Sequence, residues 1–255
     1  MNCEDETAYA FEAVGAEVSR VFLKDLAEKP SVLQGYHVLA LVGGFSFGDH
    51  VAAGKILANI YKFRLGDEVQ RFIDDGKLVF GECNGFQTLV KAGILPGLDG
   101  DYKTQRATLT YNDSGLFEDR WVHLKVNPKS KCVFTQGLDE LYLPVRHGEG
   151  KFVMSQEEDL RKLRSGNQIV LQYAGEKNLP TMRYPLNPNG SVDAIAGICD
   201  STGRVFGKMP HATAYLSPYN HPHWTRLKAD GMLPEEGEGV QVFRNAIQYV
   251  NRVLM

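Results

Sequence analysis

Apolar positions near the start of the chain recur at the spacing of one helical face. This spacing predicts a helix over residues 4–14. Gly15 lies where a glycine would end that helix, and Asn2 lies where a side chain could cap its first turn. The chain therefore opens with a predicted amphipathic helix.

Two short and nearly continuous apolar runs follow, at residues 36–42 and 77–81. Strands that are covered on both faces have this composition, and helical patterns over residues 51–60 and 66–74 separate the two runs. Alternating strands and helices are typical of a parallel sheet, in which functional side chains collect at the carboxyl ends of the strands. We therefore expect an active site where these two runs end.

The second half of the chain contains short strand-like segments joined by turn residues. These predicted strands cover residues 106–111, 119–126, 141–145, 151–154, 168–173, 193–199 and 204–209. Residues 200–203 predict a hairpin loop, and residues 240–254 predict a closing helix with one apolar stripe. The whole pattern predicts one α/β domain over residues 1–255, with a mostly parallel central sheet flanked by helices and additional antiparallel strands.

Composition and charge narrow the class of protein. Hydrophobic residues make up 43 % of the 255 residues, which supports a sizeable core, and the net charge of −3 argues against a nucleic-acid partner or a membrane surface. The acidic start is unlike a signal peptide, and no apolar run approaches the ~18 residues of a membrane span.

The cysteines are dispersed, without metal-like spacing to histidine, at Cys3, Cys83, Cys132 and Cys199. We expect reduced thiols, no metal site and a cytoplasmic location.

Residues 79–87 carry the strongest chemical signal, because a predicted strand runs into Gly81-x-Cys83-x-Gly85 and a helix follows at once. This is the cysteine form of the sharp turn that exposes a nucleophile above a sheet, and side chains at either glycine would collide across it. At the helix N-terminus, Cys83 would face unsatisfied N–H groups that favour the thiolate, and the N–H of Asn84 would point towards a developing oxyanion. A structural cysteine before a helix is the alternative, which the paired glycines disfavour.

Two further positions complete a candidate site. Gly43 and Gly44 end the preceding strand and would allow a backbone N–H to act as a second oxyanion donor, although glycine pairs after strands are usually only turns. His211 follows the predicted strand 204–209 and is the best-placed proton shuttle for a cysteine at a strand end. Of the other histidines, His37 and His123 lie within predicted strands. The rest lie in predicted loops, at His50, His147, His221 and His223.

At this point the sequence resembles a known family. The matching stretches span nearly the whole chain, at residues 2–6, 43–49, 81–87, 112–115, 120–122, 147–150, 187–191 and 209–211. Together they are similar to the class I glutamine amidotransferases, and within them to the glutaminase subunits of phosphoribosylformylglycinamidine synthase, from purine biosynthesis. The cysteine turn is common to the class, whereas residues 43–46, 147–150 and 188–191 are specific to these subunits.

The resemblance implies a flavodoxin-like amidotransferase fold and a set of roles. Cys83 would attack glutamine and form a γ-glutamyl thioester, with His211 as its acid and base. Gly44 and Asn84 would supply the oxyanion N–H groups, and Gln87 would help to hold the substrate glutamine.

The resemblance also implies partners. Ammonia would pass to a separate synthetase subunit that binds ATP, Mg²⁺ and formylglycinamide ribonucleotide, and a small accessory subunit of the same complex is a further expected partner. This chain carries no phosphate-binding loop, so we expect no cofactor in this subunit.

Two positions depart from the family pattern. The family's histidine is followed two residues later by a glutamate, where this chain has Thr213, which could accept a hydrogen bond from the ring without supplying its charge. A displaced carboxylate from a loop could take over. The family also has a strand before the turn at residues 2–3, so we expect the first strand to be missing before Met1, with two strand edges left unpaired. The intact mass of the protein from its native gene tests that expectation.

Alternative functions remain open from the sequence. Thr213 and the missing strand would suit a catalytically weak subunit that serves assembly with the synthetase. A related cysteine hydrolase on the same fold would explain the cysteine turn but not residues 147–150 and 188–191. Residues 219–224 are interpreted as an aromatic loop near the mouth of the site rather than as a metal site.

Overall fold

The structure is a computed structural model, and it describes residues 2–255 apart from the side chain of Glu176. A seven-stranded sheet forms its centre, with a separate two-stranded sheet at one side. The strands in the described residues are β1 (Val38–Leu41), β2 (Leu78–Glu82), β3 (Ala107–Thr110), β4 (Glu118–Val126), β5 (Glu140–His147), β6 (Lys151–Met154), β7 (Ile169–Ala174), β8 (Ile195–Cys199) and β9 (Val205–Lys208). The order in the large sheet is β1-β2-β9-β8-β7-β4-β5, and β3 pairs with β6.

The parallel part of the sheet consists of β1, β2 and β9. The remaining neighbours pair in antiparallel fashion, which makes the antiparallel share of the sheet larger than the sequence suggested. β8 and β9 form the predicted hairpin, in which the Asp200 carboxylate accepts the N–H groups of Arg204 and Val205. The mixed α/β architecture is the one that the sequence predicts.

Helices cover both faces of the sheet. In the described residues they are α1 (Glu4–Glu12), α2 (Leu23–Glu28), α3 (Lys55–Ile60), α4 (Gly66–Asp74), α5 (Asn84–Ala92), α6 (Glu157–Ser165), α7 (Trp224–Ala229) and α8 (Gly239–Val253), with a π-helical turn at Tyr61–Leu65. The helices α2, α6 and α7 were not predicted from the sequence pattern. The sequence prediction was also wrong about Asn2, which caps no helix and instead accepts the N–H of Phe45 through its side-chain oxygen (3.0 Å).

Successive residues of β2 point into two different cores. Val79 packs with the helices α3, α4 and α5 on one face, whereas Phe80 packs with α1 and α8 on the other. The second core is aromatic, since the ring of Phe80 contacts those of Phe11, Phe134, Phe206 and Phe243. β2 is therefore buried along its whole length.

β1 lies at one edge of the sheet and pairs only with β2 among the described strands. Three of its four residues are only half-buried, and residues 16–22 carry no strand or helix. No helix within residues 2–255 is long and apolar enough to cross a membrane.

Candidate active site

β2 ends in a strained turn that carries Cys83 into the first residue of α5. The backbone of Cys83 has φ +52° and ψ −107°, a conformation that side chains rarely adopt and that exposes a nucleophile above a sheet. Glycine is required on both sides of this turn. A Cβ on Gly81 would lie 2.6 Å from Leu89 Cδ1, and a Cβ on Gly85 would lie 1.8 Å from the carbonyl oxygen of Leu41. The expected collision across the turn is confirmed for Gly81, whereas Gly85 is required by the close approach of β1.

Two backbone N–H groups face the sulfur of Cys83, those of Asn84 and Gly44, and each by itself favours the anion. The thiol lies 3.8 Å from the carbonyl oxygen of Arg146, to which it can donate. The hydroxyl of Ser46 donates to Asn84 Oδ1 (2.6 Å) and joins the loop after β1 to the turn after β2. The ends of the two predicted strands therefore meet around one sulfur atom.

The charge state of Cys83 differs from the one that the sequence suggested. Burial raises the pKa of the Cys83 thiol to about 12, and the negative charge of Glu82 and the neighbouring Cys3 add to that effect. The two N–H groups act in the opposite direction but do not outweigh burial. The expectation of a thiolate in the resting protein is therefore wrong, because it considered the helix terminus and left out burial.

His211 lies beside Cys83, three residues after the end of β9. Measured from the point where Gly43 would carry a Cβ, His211 Cε1 is 3.1 Å away and Cys83 Cβ is 3.6 Å away. The ring nitrogen Nε2 has no hydrogen-bond partner among the described residues, and Nδ1 lies 3.5 Å from Glu82 Oε1. Burial lowers the pKa of His211 to about 4, although Glu82 opposes it, so the imidazole is neutral at physiological pH.

Glu82 is a fully buried carboxylate with several hydrogen-bond donors around it. Its Oε2 accepts bonds from the ammonium group of Lys208 and from the N–H of Ala212 (2.8 Å). Its Oε1 accepts the hydroxyl of Thr213 and faces His211. Thr213 thus donates to a carboxylate, and the expected hydrogen bond from the histidine ring to Thr213 is not made.

The sequence reading overlooked Glu82, although a signal was present. It is the one charged residue at the end of an otherwise apolar run, directly before the nucleophile. Acidic residues are almost never fully buried without partners. A glutamate in a strand buried on both faces therefore indicates a positively charged side chain nearby. The carboxylate that faces His211 lies in β2, whereas the sequence suggested one from a loop.

A cavity of about 150 Å³ opens beside the sulfur, a size suited to a small substrate such as a free amino acid. Its wall includes Gly44, Cys83, Gln87, Phe117, Arg146 and Glu149. The amide of Gln87 donates to the carbonyl of Glu149 (2.6 Å) and accepts from the side chain of Asn84 (3.1 Å). Gln87 is therefore part of the cavity wall, and its contact with a substrate stays a prediction.

His147 lies elsewhere than expected, and residues 219–224 lie outside the wall of the cavity. His147 is the last residue of β5 rather than part of a loop, and it is buried with Nδ1 3.1 Å from Asn112 Oδ1. Residues 219–224 do not line the cavity, and His221 instead packs against the ring of Trp121. The part of the chain that the structure describes contains no group of three metal-ligating side chains.

Known proteins share this sequence and fold. The family model of the CobB/CobQ-like glutamine amidotransferase domain matches residues 1–250. The chain is 48 % identical over 255 residues to the phosphoribosylformylglycinamidine synthase subunit PurQ of Dehalococcoides mccartyi, covering 99 % of this chain and 94 % of that one. It is 40 % identical over 260 residues to the protein of the same name from Methanococcus maripaludis, with the same two shares. A solved structure of PurLQS from Thermotoga maritima is similar with a TM-score of 0.70 and 28 % identity, covering 98 % of this chain and 93 % of that chain. The chain therefore belongs to the glutamine amidotransferases with a CobB/CobQ-like domain, and within them to the PurQ subunits of phosphoribosylformylglycinamidine synthase.

Proposed function

We propose that this chain hydrolyses glutamine to glutamate and ammonia and supplies the ammonia to the synthetase of phosphoribosylformylglycinamidine synthase. The observation that carries the proposal is the pairing of Cys83 with a neutral, buried His211. Their neighbourhood combines a nucleophile, a base with a free ring nitrogen and two N–H groups on one sulfur. The 48 % identity to a PurQ subunit over nearly the full length identifies the reaction.

The first half of the reaction acylates Cys83. The free Nε2 of His211 takes the thiol proton while the sulfur attacks the carbonyl carbon of the glutamine side chain. The N–H groups of Asn84 and Gly44 stabilise the negative oxygen of the tetrahedral intermediate. His211 then gives its proton to the amide nitrogen, the C–N bond breaks, and ammonia leaves the γ-glutamyl thioester.

The second half returns the enzyme to its starting state. His211 takes a proton from a water molecule, which attacks the thioester carbonyl and forms a second tetrahedral intermediate. The C–S bond breaks, glutamate leaves, and the proton returns to the sulfur. A thiol with a raised pKa fits this sequence, because its proton is removed only as the sulfur attacks.

The partner in this proposal is a synthetase subunit, and the similar solved structure from Thermotoga maritima is a structure of PurLQS, which supports assembly with PurL. The synthetase would bind ATP, Mg²⁺ and formylglycinamide ribonucleotide and convert the last of these to formylglycinamidine ribonucleotide. A small accessory subunit and a cytoplasmic location complete the proposal. The four thiols are free in the described structure, which agrees with a reducing compartment.

A glutaminase assay with and without the synthetase tests the proposal. Glutamine labelled with ¹⁵N in its side-chain amide should release labelled ammonia, and with the complete complex the label should enter the ribonucleotide product. Cys83→Ala should reduce glutamate release by about 10³-fold or more. Equal rates for the wild type and Cys83→Ala in the presence of the synthetase would contradict the proposal.

The alternative of a catalytically weak assembly subunit is not favoured. One of its two motives, beside the missing first strand, was the absence of a carboxylate at position 213. Thr213 contacts a buried carboxylate that also faces His211, so the site does not lack a negative charge.

A further inference from the structure

The two oxygens of the Glu82 carboxylate have different surroundings. Oε2 accepts hydrogen bonds from two groups that can act only as donors, the ammonium of Lys208 and the N–H of Ala212. Oε1 accepts the hydroxyl of Thr213 and faces Nδ1 of His211 at 3.5 Å. One oxygen therefore anchors the side chain, and the other is available to the imidazole.

The carboxylate is ionised although it is fully buried. Burial by itself would raise the pKa of Glu82, but the positive charge of Lys208, the imidazole of His211 and the hydrogen bonds from Lys208 and Thr213 lower it overall. Lys208 is equally buried, and its ammonium group also donates to the carbonyl of Pro210 (2.6 Å). The negative charge therefore lies at a fixed position next to the catalytic histidine.

This position determines which imidazole nitrogen carries the proton. An ionised carboxylate only accepts hydrogen bonds, so it favours the His211 tautomer with a proton on Nδ1. That tautomer leaves Nε2 with a lone pair, and Nε2 is the ring nitrogen that has no partner among the described residues. The separation of 3.5 Å is longer than a normal hydrogen bond, as is common in proteins without bound substrate, and it should shorten when His211 becomes charged.

We propose that Glu82 is the positioning carboxylate of His211, with Thr213 and Lys208 holding it in place. The inference rests on the proposed glutaminase function. In each half of the reaction the imidazole gains a proton at Nε2, and Glu82 remains ionised and stabilises the resulting imidazolium through Nδ1–H. The carboxylate is supplied by the residue before the nucleophile, and Thr213 takes the position from which a longer acidic side chain would reach the same imidazole.

Glu82→Gln tests this role directly, because the donors around Oε2 determine which way the new amide group is oriented. Only the amide oxygen can accept from Lys208 and Ala212, so the NH₂ group must take the place of Oε1 and donate to His211 Nδ1. The imidazole proton then moves to Nε2, where it points away from Glu82 and blocks the base. We expect kcat for glutamine hydrolysis to fall by about 10²- to 10⁴-fold with KM little changed.

The tautomer itself gives a readout that a merely structural role would not change. In ¹⁵N NMR spectra of histidine-labelled protein, the wild type should show His211 protonated at Nδ1, and Glu82→Gln should show it protonated at Nε2. Asp159→Asn is the matched control, because Asp159 is a buried acid on α6 that pairs with Arg106 and lies outside the cavity wall. It should leave both kcat and the His211 signal unchanged.

A swap of the two side chains tests position directly. Thr213→Glu alone would bring a second carboxylate against Glu82 and should lower activity. The double variant Glu82→Gln with Thr213→Glu should have a kcat at least about tenfold higher than that of Glu82→Gln alone, because the negative charge returns to the same imidazole. If Glu82→Gln does not fold, the double variant Glu82→Gln with Lys208→Met removes both buried charges and is measured with the same assays.

The outcomes separate this inference from the proposed function. A wild type that hydrolyses no glutamine above Cys83→Ala removes the proposed function. An active wild type with an equally active Glu82→Gln, or with an Nδ1 proton retained in that variant, overturns the role of Glu82 alone. Loss of kcat together with a change of tautomer supports it.

Discussion

Alkylation of Cys83 by iodoacetamide should be slow at neutral pH and should accelerate steadily as the pH rises. The reagent reacts with the thiolate, and the pKa of Cys83 is raised to about 12 by burial, by Glu82 and by Cys3. The rate should therefore increase about tenfold per pH unit from pH 7 to pH 10 without reaching a plateau.

The size of the effect follows from that pKa. A cysteine with an ordinary pKa of about 8.5 is a few per cent ionised at pH 7, whereas a pKa of about 12 leaves roughly one sulfur in 10⁵ ionised. Relative to a solvent-exposed thiol, the raised pKa corresponds to a preference for the neutral form of about 5 kcal/mol. Limited access of the reagent lowers every rate by a common factor and leaves the slope with pH unchanged.

Peptide mass spectrometry after timed alkylation separates Cys83 from Cys3, whose pKa is itself raised to about 11, mainly by burial. The same peptide from protein unfolded in guanidinium chloride gives the reference curve, with a plateau above pH 9. A plateau for folded Cys83 below pH 8 would show a thiolate formed in advance. That result would refute the burial argument and restore the expectation drawn from the helix terminus.

Further predictions concern stability. The buried imidazoles of His211 and His147 have pKa values of about 4 and about 3, below the ordinary value near 6.5, so the unfolded chain binds protons below pH 6.5 that the folded chain does not. The free energy of unfolding from urea denaturation should therefore fall as the pH drops from 6.5 to 4, by about 3 kcal/mol for His211 alone, and a flat profile would contradict these assignments. Gly85→Ala should cost about 3 kcal/mol or more in thermal denaturation, because its Cβ would overlap the carbonyl of Leu41. Gly35→Ala, at a position with open space, should change stability by less than about 1 kcal/mol.

The sequence was most informative where local pattern and sheet geometry coincide. β2 and β9 were predictable as buried strands, and parallel strands bring their carboxyl ends to one edge of a sheet. That rule made His211 the best-placed histidine to meet Cys83, and the family resemblance implied the same pairing, although 128 residues separate the two in the numbering of the chain. The glycines around Cys83 were equally readable, since the turn leaves no room for a side chain.

The chemistry of the site was less predictable because it depends on long-range register. Glu82 lies opposite Lys208 in the pairing of β2 with β9, and no local pattern states which residues of two distant strands will face each other. The charge state of Cys83 was misjudged for a related reason. A helix terminus can be read from neighbouring residues, whereas burial of the sulfur depends on packing contributed by the whole fold.

The adjacency of β2 and β9 has a consequence for how the protein loses activity. Glu82 ends β2 and Cys83 follows it, whereas His211 lies just after β9, the neighbouring strand. The hydrogen bonds between β2 and β9 therefore hold these three residues close together. Fraying of α2 or α7, which contribute no residue to the cavity wall, leaves that connection intact and should not inactivate the enzyme. Inactivation under mild denaturant should instead coincide with the slowest-exchanging amides of the central strands.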